Sequence, residues 1–238
     1  MSKTSPVFCA LDRPDLDGTL TLAQTLADVV GGFKVGLEFI TANGPTGIRQ
    51  IVDLGRPVFL DVKFHDIPNT VKRSIDATGD LGVAMITIHL SGGLEMLEAA
   101  VEAADGIKGR RPWLLGVSVL TSLDDDDLEM MGIRHQTRDQ VVKLAELGQE
   151  AGLDGLICSP KEISSLKKRF GDSLKLVVPG IRPQGSATAD QKRTLTPAEA
   201  IEAGADYLVI GRPITEAADP RAAALSIQAE IDKARQAA

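Results

Sequence analysis

Asp61, Lys63 and Asp66, with Lys34 upstream, alternate in sign where a sheet ordinarily buries apolar side chains. The run Pro57-Val58-Phe59-Leu60 that leads into them has the composition of a buried strand. Successive side chains on a strand point to opposite faces, so Asp61 and Lys63 share one. Pro68 has no N–H to give to a ladder, so the strand ends before it. The charges therefore gather at a strand's carboxyl end. Carboxylates on either side of a lysine favour its charged, proton-carrying form. That form suits Lys63 to deliver a proton to a carbanion and does not suit Schiff-base chemistry, which needs a neutral amine. A structural ion pair within the sheet is the competing reading. Lys34 weighs against it: if Lys34 reaches Asp61, four charges of alternating sign compensate one another, and each is costly to bury unpaired.

A second constellation is Val178-Pro179-Gly180-Ile181-Arg182 with Gln191 further along the same loop, followed by Val209-Ile210-Gly211-Arg212. Glycines let an anion approach the main chain, arginine offers a planar cationic fork, and Gln191 sits where a long loop can close over a ligand. The pattern reads as a phosphate grip, although Pro-Gly by itself is equally a turn. Other polar clusters point to less. His65 and His89 match no metal-ligand spacing, so no metal site is expected, and His89 is read as a hydrogen-bonding wall residue. The acidic run from Asp124 to Asp127 fits a helix N-terminus and a solvated face. Ser91-Gly92-Gly93 reads equally as a helix start or an anion cradle.

These groups need a scaffold that collects strand ends. Short apolar runs recur at 7–11, 33–36, 58–62, 85–89, 113–119, 155–158, 176–178 and 207–210. Amphipathic stretches fall at 20–30, 47–53, 70–81, 94–104, 137–151, 162–170, 197–203 and 220–234. Continuous rather than alternating apolar strands imply a sheet covered on both faces, and the intervening helices imply parallel crossovers. Eight such units with no linker predict a single (β/α)₈ barrel over 1–238, in preference to a doubly wound open sheet. Barrel chemistry sits on the loops after strand ends. Asp12, Asp61 with Lys63, His89, Thr121, Ser159, Gly180 to Arg182, and Gly211-Arg212 all stand there. Lys34 enters early on its strand and must reach up from inside the barrel.

A net charge of −7 and scattered basic residues argue against nucleic acid as a partner. Cys9 and Cys158 lie in apolar strand-like runs, which predicts buried thiols rather than a disulfide framework, and hence a reducing compartment. No stretch approaches the roughly 18 apolar residues of a membrane span. A soluble cytoplasmic protein is expected.

Taken together, Ala10-Leu11-Asp12, Phe33-Lys34-Val35-Gly36, the block from Phe59 to Thr70, Val117 to Thr121, Pro179 to Arg182, and Gly211-Arg212 resemble the orotidine 5′-monophosphate decarboxylases in their short bacterial form. The resemblance spans nearly the whole chain. It implies that Asp12 and Lys34 contact the ribose, that Asp61 faces the substrate carboxylate, and that Lys63 protonates C6. It implies a homodimer in which Asp66 and Thr70 reach into the neighbouring subunit's site, so that Lys63, Asp61, Lys34 and Asp66 form the catalytic set. Thr121 is assigned to the pyrimidine, and Arg182, Gln191, Gly211 and Arg212 to the loop and phosphate. The continuous stretch Asp61, Val62, Lys63, Phe64, His65, Asp66, Ile67, Pro68, Asn69 and Thr70 is assigned to the substrate-binding surface, with His65 a bystander to the chemistry. No cofactor is implied. Magnesium-dependent sugar-phosphate decarboxylases or synthases that share an Asp-x-Lys-x-x-Asp pattern are one alternative, with Glu38 their acidic candidate. A non-catalytic nucleotide-phosphate binding module is another.

Overall fold

The computed structural model describes residues 5–183 and 194–237. In chain order the first half runs β1 (Val7–Ala10), α1 (Leu16–Leu26), β2 (Gly32–Gly36), α2 (Leu37–Val52), β3 (Val58–Phe64), α3 (Pro68–Thr78), β4 (Met85–His89) and α4 (Leu94–Gly106). The second half runs β5 (Trp113–Val117), α5 (Asp125–Met130), α6 (Thr137–Glu150), β6 (Gly155–Ile157), α7 (Ile163–Phe170), β7 (Lys175–Val178), α8 (Pro197–Glu202), β8 (Tyr207–Ile210), α9 (Arg212–Thr215) and α10 (Pro220–Ala237). The strands are parallel and close in sequence order, β1 pairing with β2 on one side and β8 on the other. This is the (β/α)₈ barrel that the strand and helix pattern predicts.

Two apolar layers hold it. Outward-facing Cys9, Phe33, Val35, Leu60, Ile86 and Ile88 pack under helix residues such as Leu22, Leu26, Phe39, Ile51 and Ile75. Inward-facing Phe8, Phe59, Met85, Leu115, Val177 and Val209 form a separate cluster, against which Trp113 and Tyr207 pack. Fully burying side chains of this size contributes about 1.5–3 kcal/mol each, which is why strands with both faces covered read as continuous apolar runs. The inner cluster is a floor of edge-to-face rings: Phe8 lies 6.3 Å from Phe59 and 5.7 Å from Tyr207, and Tyr207 lies 6.0 Å from Trp113, centroid to centroid. Gly32 makes room for it, since a Cβ there would stand 2.5 Å from the Phe8 ring.

Cys9 and Cys158 are free and buried. Burial, reinforced by Asp12, pushes the Cys9 thiol up to about 12, and burial raises Cys158 well above its ordinary value. Neither is a nucleophile near neutral pH.

Helix boundaries depart from the expected ones where local capping decides. Helix α1 starts at Leu16, not 20, because the Asp15 carboxylate caps it by accepting from the Gly18 N–H at 3.0 Å. Helix α2 begins at Leu37, ten residues before the expected start at 47, and tolerates Gly44 at φ 58 and Pro45 as an internal kink. Helix α8 starts at Pro197 behind a Thr196 cap, as its sequence predicts. The acidic run caps α5 through a reciprocal Asp124–Asp127 box. The four-residue α9 after β8 had no sequence signal beyond Pro213.

Candidate active site

The carboxyl ends of the strands open into a cavity of about 610 Å³. Phe59 and the Val117, Ile157 and Val209 side chains form its base. Asp12, Lys34, Asp61, Lys63, Thr121, Arg182, Gly211 and Arg212 line it.

The charges form one continuous chain. The Lys34 ammonium, its side chain 9% exposed, donates to both Asp12 oxygens at 2.8 and 3.0 Å and lies 3.6 Å from Asp61 Oδ2. Lys63 Nζ donates to Asp61 Oδ1 at 2.8 Å. The same oxygen accepts from the Thr87 hydroxyl at 3.0 Å. Burial by itself would raise the Asp61 pKa, but the charges of Lys34 and Lys63, with hydrogen bonds from Lys63 and Thr87, hold the carboxyl below its ordinary value. Asp61 is therefore an anion between two ammonium groups, and one of these, on Lys63, is open to the cavity.

Each position follows from the fold. Lys34 lies in the middle of β2 and points inward, so its long side chain climbs from the barrel interior to the mouth. Gly36, two residues on, leaves it room: a Cβ there would stand 2.7 Å from Asp12 Oδ1 and 3.1 Å from Lys34 Nζ. Strand β3 departs from a regular ladder. Leu60 pairs with Ile86 and Phe64 with Ile88, so residues 61, 62 and 63 stand opposite Thr87 alone. Lys63 takes a left-handed conformation, φ 51, and no other non-glycine residue among those described has a positive φ. Strain of this kind persists where the surroundings over-determine it, and it clusters at functional sites.

On the far wall, Gly180 turns the chain after β7 at φ 77, a conformation that glycine adopts without penalty. The Arg182 N–H then donates to Leu195 O at 2.9 Å, and Ile181 bridges Leu195. Burial and the charge of Arg212 both push the Arg182 pKa down. Both arginines line the one cavity, and the planar guanidinium fork is suited to an anionic group there. Arg13 ties the mouth together by donating to Thr215 O, at the end of α9, at 2.6 Å.

The remaining assigned residues lie elsewhere. Val62 and Phe64, assigned to the substrate-binding surface, pack outward against the helix-side core and do not line the cavity, as strand alternation requires. His65, Asp66, Ile67, Asn69 and Thr70 are exposed at the rim and the start of α3, with Pro68 half-buried in its first turn. Asp66 makes no ion pair among the described residues; its carboxylate accepts from the Ile67 N–H. Within one chain the alternating series therefore runs Asp12, Lys34, Asp61, Lys63 and omits Asp66. His89, expected as a hydrogen-bonding wall residue, makes no side-chain hydrogen bond among the described residues; its ring lies 5.3 Å from that of His65, and burial followed by the His65 and Lys63 charges lowers its pKa. Gln191 falls outside the described residues.

Sequence reasoning missed Thr87, Arg13 and Gly36. Thr87 had a readable signal, a hydroxyl at an inward position of the otherwise apolar Met85-Ile86-Thr87-Ile88. Gly36 had none beyond its place two residues after Lys34.

Comparison with known proteins places this geometry. A family profile described as orotidine 5'-phosphate decarboxylase / HUMPS matches residues 5–227. Over 228 residues the chain is 49% identical to the orotidine 5'-phosphate decarboxylase of Sphingopyxis alaskensis, covering 96% of this chain and 100% of the relative. Over 231 residues it is 48% identical to the enzyme of that name from Paramagnetospirillum magneticum, covering 95% and 98%. Among solved structures, orotidine 5'-phosphate decarboxylase from Lactobacillus acidophilus superposes with a TM-score of 0.85 at 36% identity, covering 96% of this chain and 99% of the other. With its barrel, its four-charge chain and its full-length relatives in agreement, the chain belongs to the orotidine 5'-phosphate decarboxylase / HUMPS family.

Proposed function

We propose that this protein converts orotidine 5′-monophosphate to UMP and CO₂, a carboxy-lyase step of pyrimidine nucleotide synthesis. The observation that carries the reading is the Asp12–Lys34–Asp61–Lys63 chain lining a cavity whose far wall presents Arg182 and Arg212. It supplies a place for a ribose, a reacting carbon and a phosphate in that order.

Loss of CO₂ from C6 leaves a carbanion with no electron sink in the substrate, so stabilisation must come from the protein. The Lys63 ammonium sits preorganised beside the developing charge and then gives up its proton to C6. Asp61, kept ionised by its neighbours, faces the departing carboxylate and holds Lys63 in line. Lys34 and Asp12 bind the ribose hydroxyls. Thr121, half-buried on the mouth, meets the pyrimidine. Arg182 and Arg212 grip the phosphate, with Gln191 completing the loop. Binding energy gained there, far from the reacting carbon, organises the site and excludes water.

The reading assigns no metal or organic cofactor to the step. The magnesium-dependent alternative needs a second carboxylate near Asp61, and its candidate, Glu38, is exposed in the first turn of α2 and does not line the cavity. A binding module without catalysis has no use for a chain of four charges of alternating sign. The decisive assay is turnover of orotidine 5′-monophosphate to UMP by the purified protein in EDTA. Sustained turnover supports the reading, and turnover that stops in EDTA and returns with magnesium sinks it.

The working unit on this reading is a homodimer with shared sites, in the cytoplasm. Support comes from the rim: Asp66, Asn69 and Thr70 are exposed beside Ile67, which is 66% exposed. Mixing Lys63→Ala and Asp66→Ala chains should then restore part of the activity that neither has alone. Subunit exchange without recovery counts against a shared site. No helix among the described residues is long and apolar enough to cross a membrane.

A further inference from the structure

We infer that Thr87 is a positioning residue for the decarboxylation step, locking Lys63 and Asp61 into one closed ring of hydrogen bonds. The inference rests on the proposed function of this site. Thr87 lies in β4, 0% exposed, with its side chain on the inner face of the barrel. Its hydroxyl oxygen accepts from the Lys63 backbone N–H at 2.9 Å and its proton goes to Asp61 Oδ1 at 3.0 Å. Lys63 Nζ donates to that same oxygen at 2.8 Å. The ring thus runs from the Lys63 main chain through Thr87 and Asp61 back to the Lys63 side chain.

Its importance follows from the bulge. Three residues of β3 stand opposite Thr87 alone, so the Lys63 N–H has lost the ladder partner that a regular parallel pair supplies. A buried N–H without a partner is costly. The Thr87 hydroxyl replaces the missing carbonyl. In doing so it fixes Lys63 in its left-handed conformation and directs the ammonium and the Asp61 carboxylate at one point. A hydroxyl has one proton and can both donate and accept, which valine of the same shape cannot do. Asp61, which burial alone would leave easier to protonate, is helped to stay ionised by the same bond.

Thr87→Val keeps the volume and removes both bonds, and Thr87→Ser keeps the hydroxyl. The expected result for Thr87→Val is a fall in kcat of about 10²-fold, the size of a lost preorganised donor, with the dissociation constant for UMP within about threefold of the parent. Thr87→Ser should recover to within about fivefold of the parent. A carboxyl-carbon NMR titration of Asp61, which does not depend on turnover, should show its midpoint higher in Thr87→Val and restored in Thr87→Ser. Equal kcat losses in both variants, or an unchanged Asp61 midpoint in Thr87→Val, would overturn the ring. If Thr87→Val does not fold, hydrogen exchange on the parent decides: the Lys63 amide is expected to be protected, and exchange as fast as in an open loop rejects the bond to Thr87. A parent protein with no decarboxylase activity but with the expected Asp61 titrations would remove the proposed function while leaving the ring standing.

Discussion

The barrel has two ends built from the same strands, and they obey opposite rules. At the floor, Phe8, Phe59, Met85, Trp113 and Tyr207 fill the interior with rings and close it to solvent. At the mouth, Lys34, Asp61 and Lys63 occupy inward positions of the same β2 and β3, one or two steps further along. Strand β3 shows the change in six residues: Phe59 seals, Asp61 and Lys63 react, and Phe64 turns back to the outer core. Alternation thus delivers a side chain to the interior at every second residue, and height on the strand decides whether that residue supports or acts. Packed rings seal the interior at one end, which leaves the other free to carry charge and left-handed backbone.

Breaking the two ends should give different phenotypes. The largest effect belongs to the mouth: Lys63→Ala removes both the proton donor and the nearby positive charge, so kcat should fall at least about 10⁴-fold. Lys63 is half-exposed, so the melting temperature should move little. Steady-state turnover and a thermal melt on one preparation check both. Phe8→Ala should do the reverse, costing about 3–5 kcal/mol of stability while activity per folded molecule stays within a few-fold. Denaturant titration beside an active-site count tests it, and a collapse of turnover in fully folded protein would erase the division between floor and mouth.

A subtler test sits at the border. Gly36→Ala places a methyl group against Asp12 and Lys34, and kcat/KM should drop roughly tenfold as that pair is displaced. The smallest effect is on pH dependence. The Asp61 pKa is depressed in the folded state, below the roughly 3.9 of an unfolded chain, so its contribution to stability is complete above that value. It is lost as the pH falls through the depressed folded value. The stability difference between the parent and Asp61→Asn, measured by denaturation from pH 6 downward, should shrink across that acid window.

Much of this was legible in the sequence. The eight strands stood out because burial on both faces makes them uniformly apolar, and Asp61 and Lys63 stood out because they break that rule. Lys34 could be assigned to the interior from its early place in Phe33-Lys34-Val35-Gly36. What stayed hidden depends on geometry that periodicity does not encode. Alternation puts Asp61 and Lys63 on one face but gives no sign of the bulge, and without the bulge Thr87 has no visible task. The helix expected from 47 starts just past Gly44 and Pro45, whereas tertiary packing of Phe39, Ile48 and Ile51 holds helix on both sides of them. The role of Asp66 and Thr70 is a question of two chains, which one chain's periodicity does not address.

The ring floor has a practical consequence. Trp113 and Tyr207 are the only tryptophan and the only tyrosine in the sequence, and they lie together at the closed end, 6.0 Å apart. The protein therefore carries a single built-in optical probe, placed away from its chemistry. Its ultraviolet emission reports whether the floor is assembled, and a ligand seated among the charges at the mouth can be followed by other means without confusing the two signals.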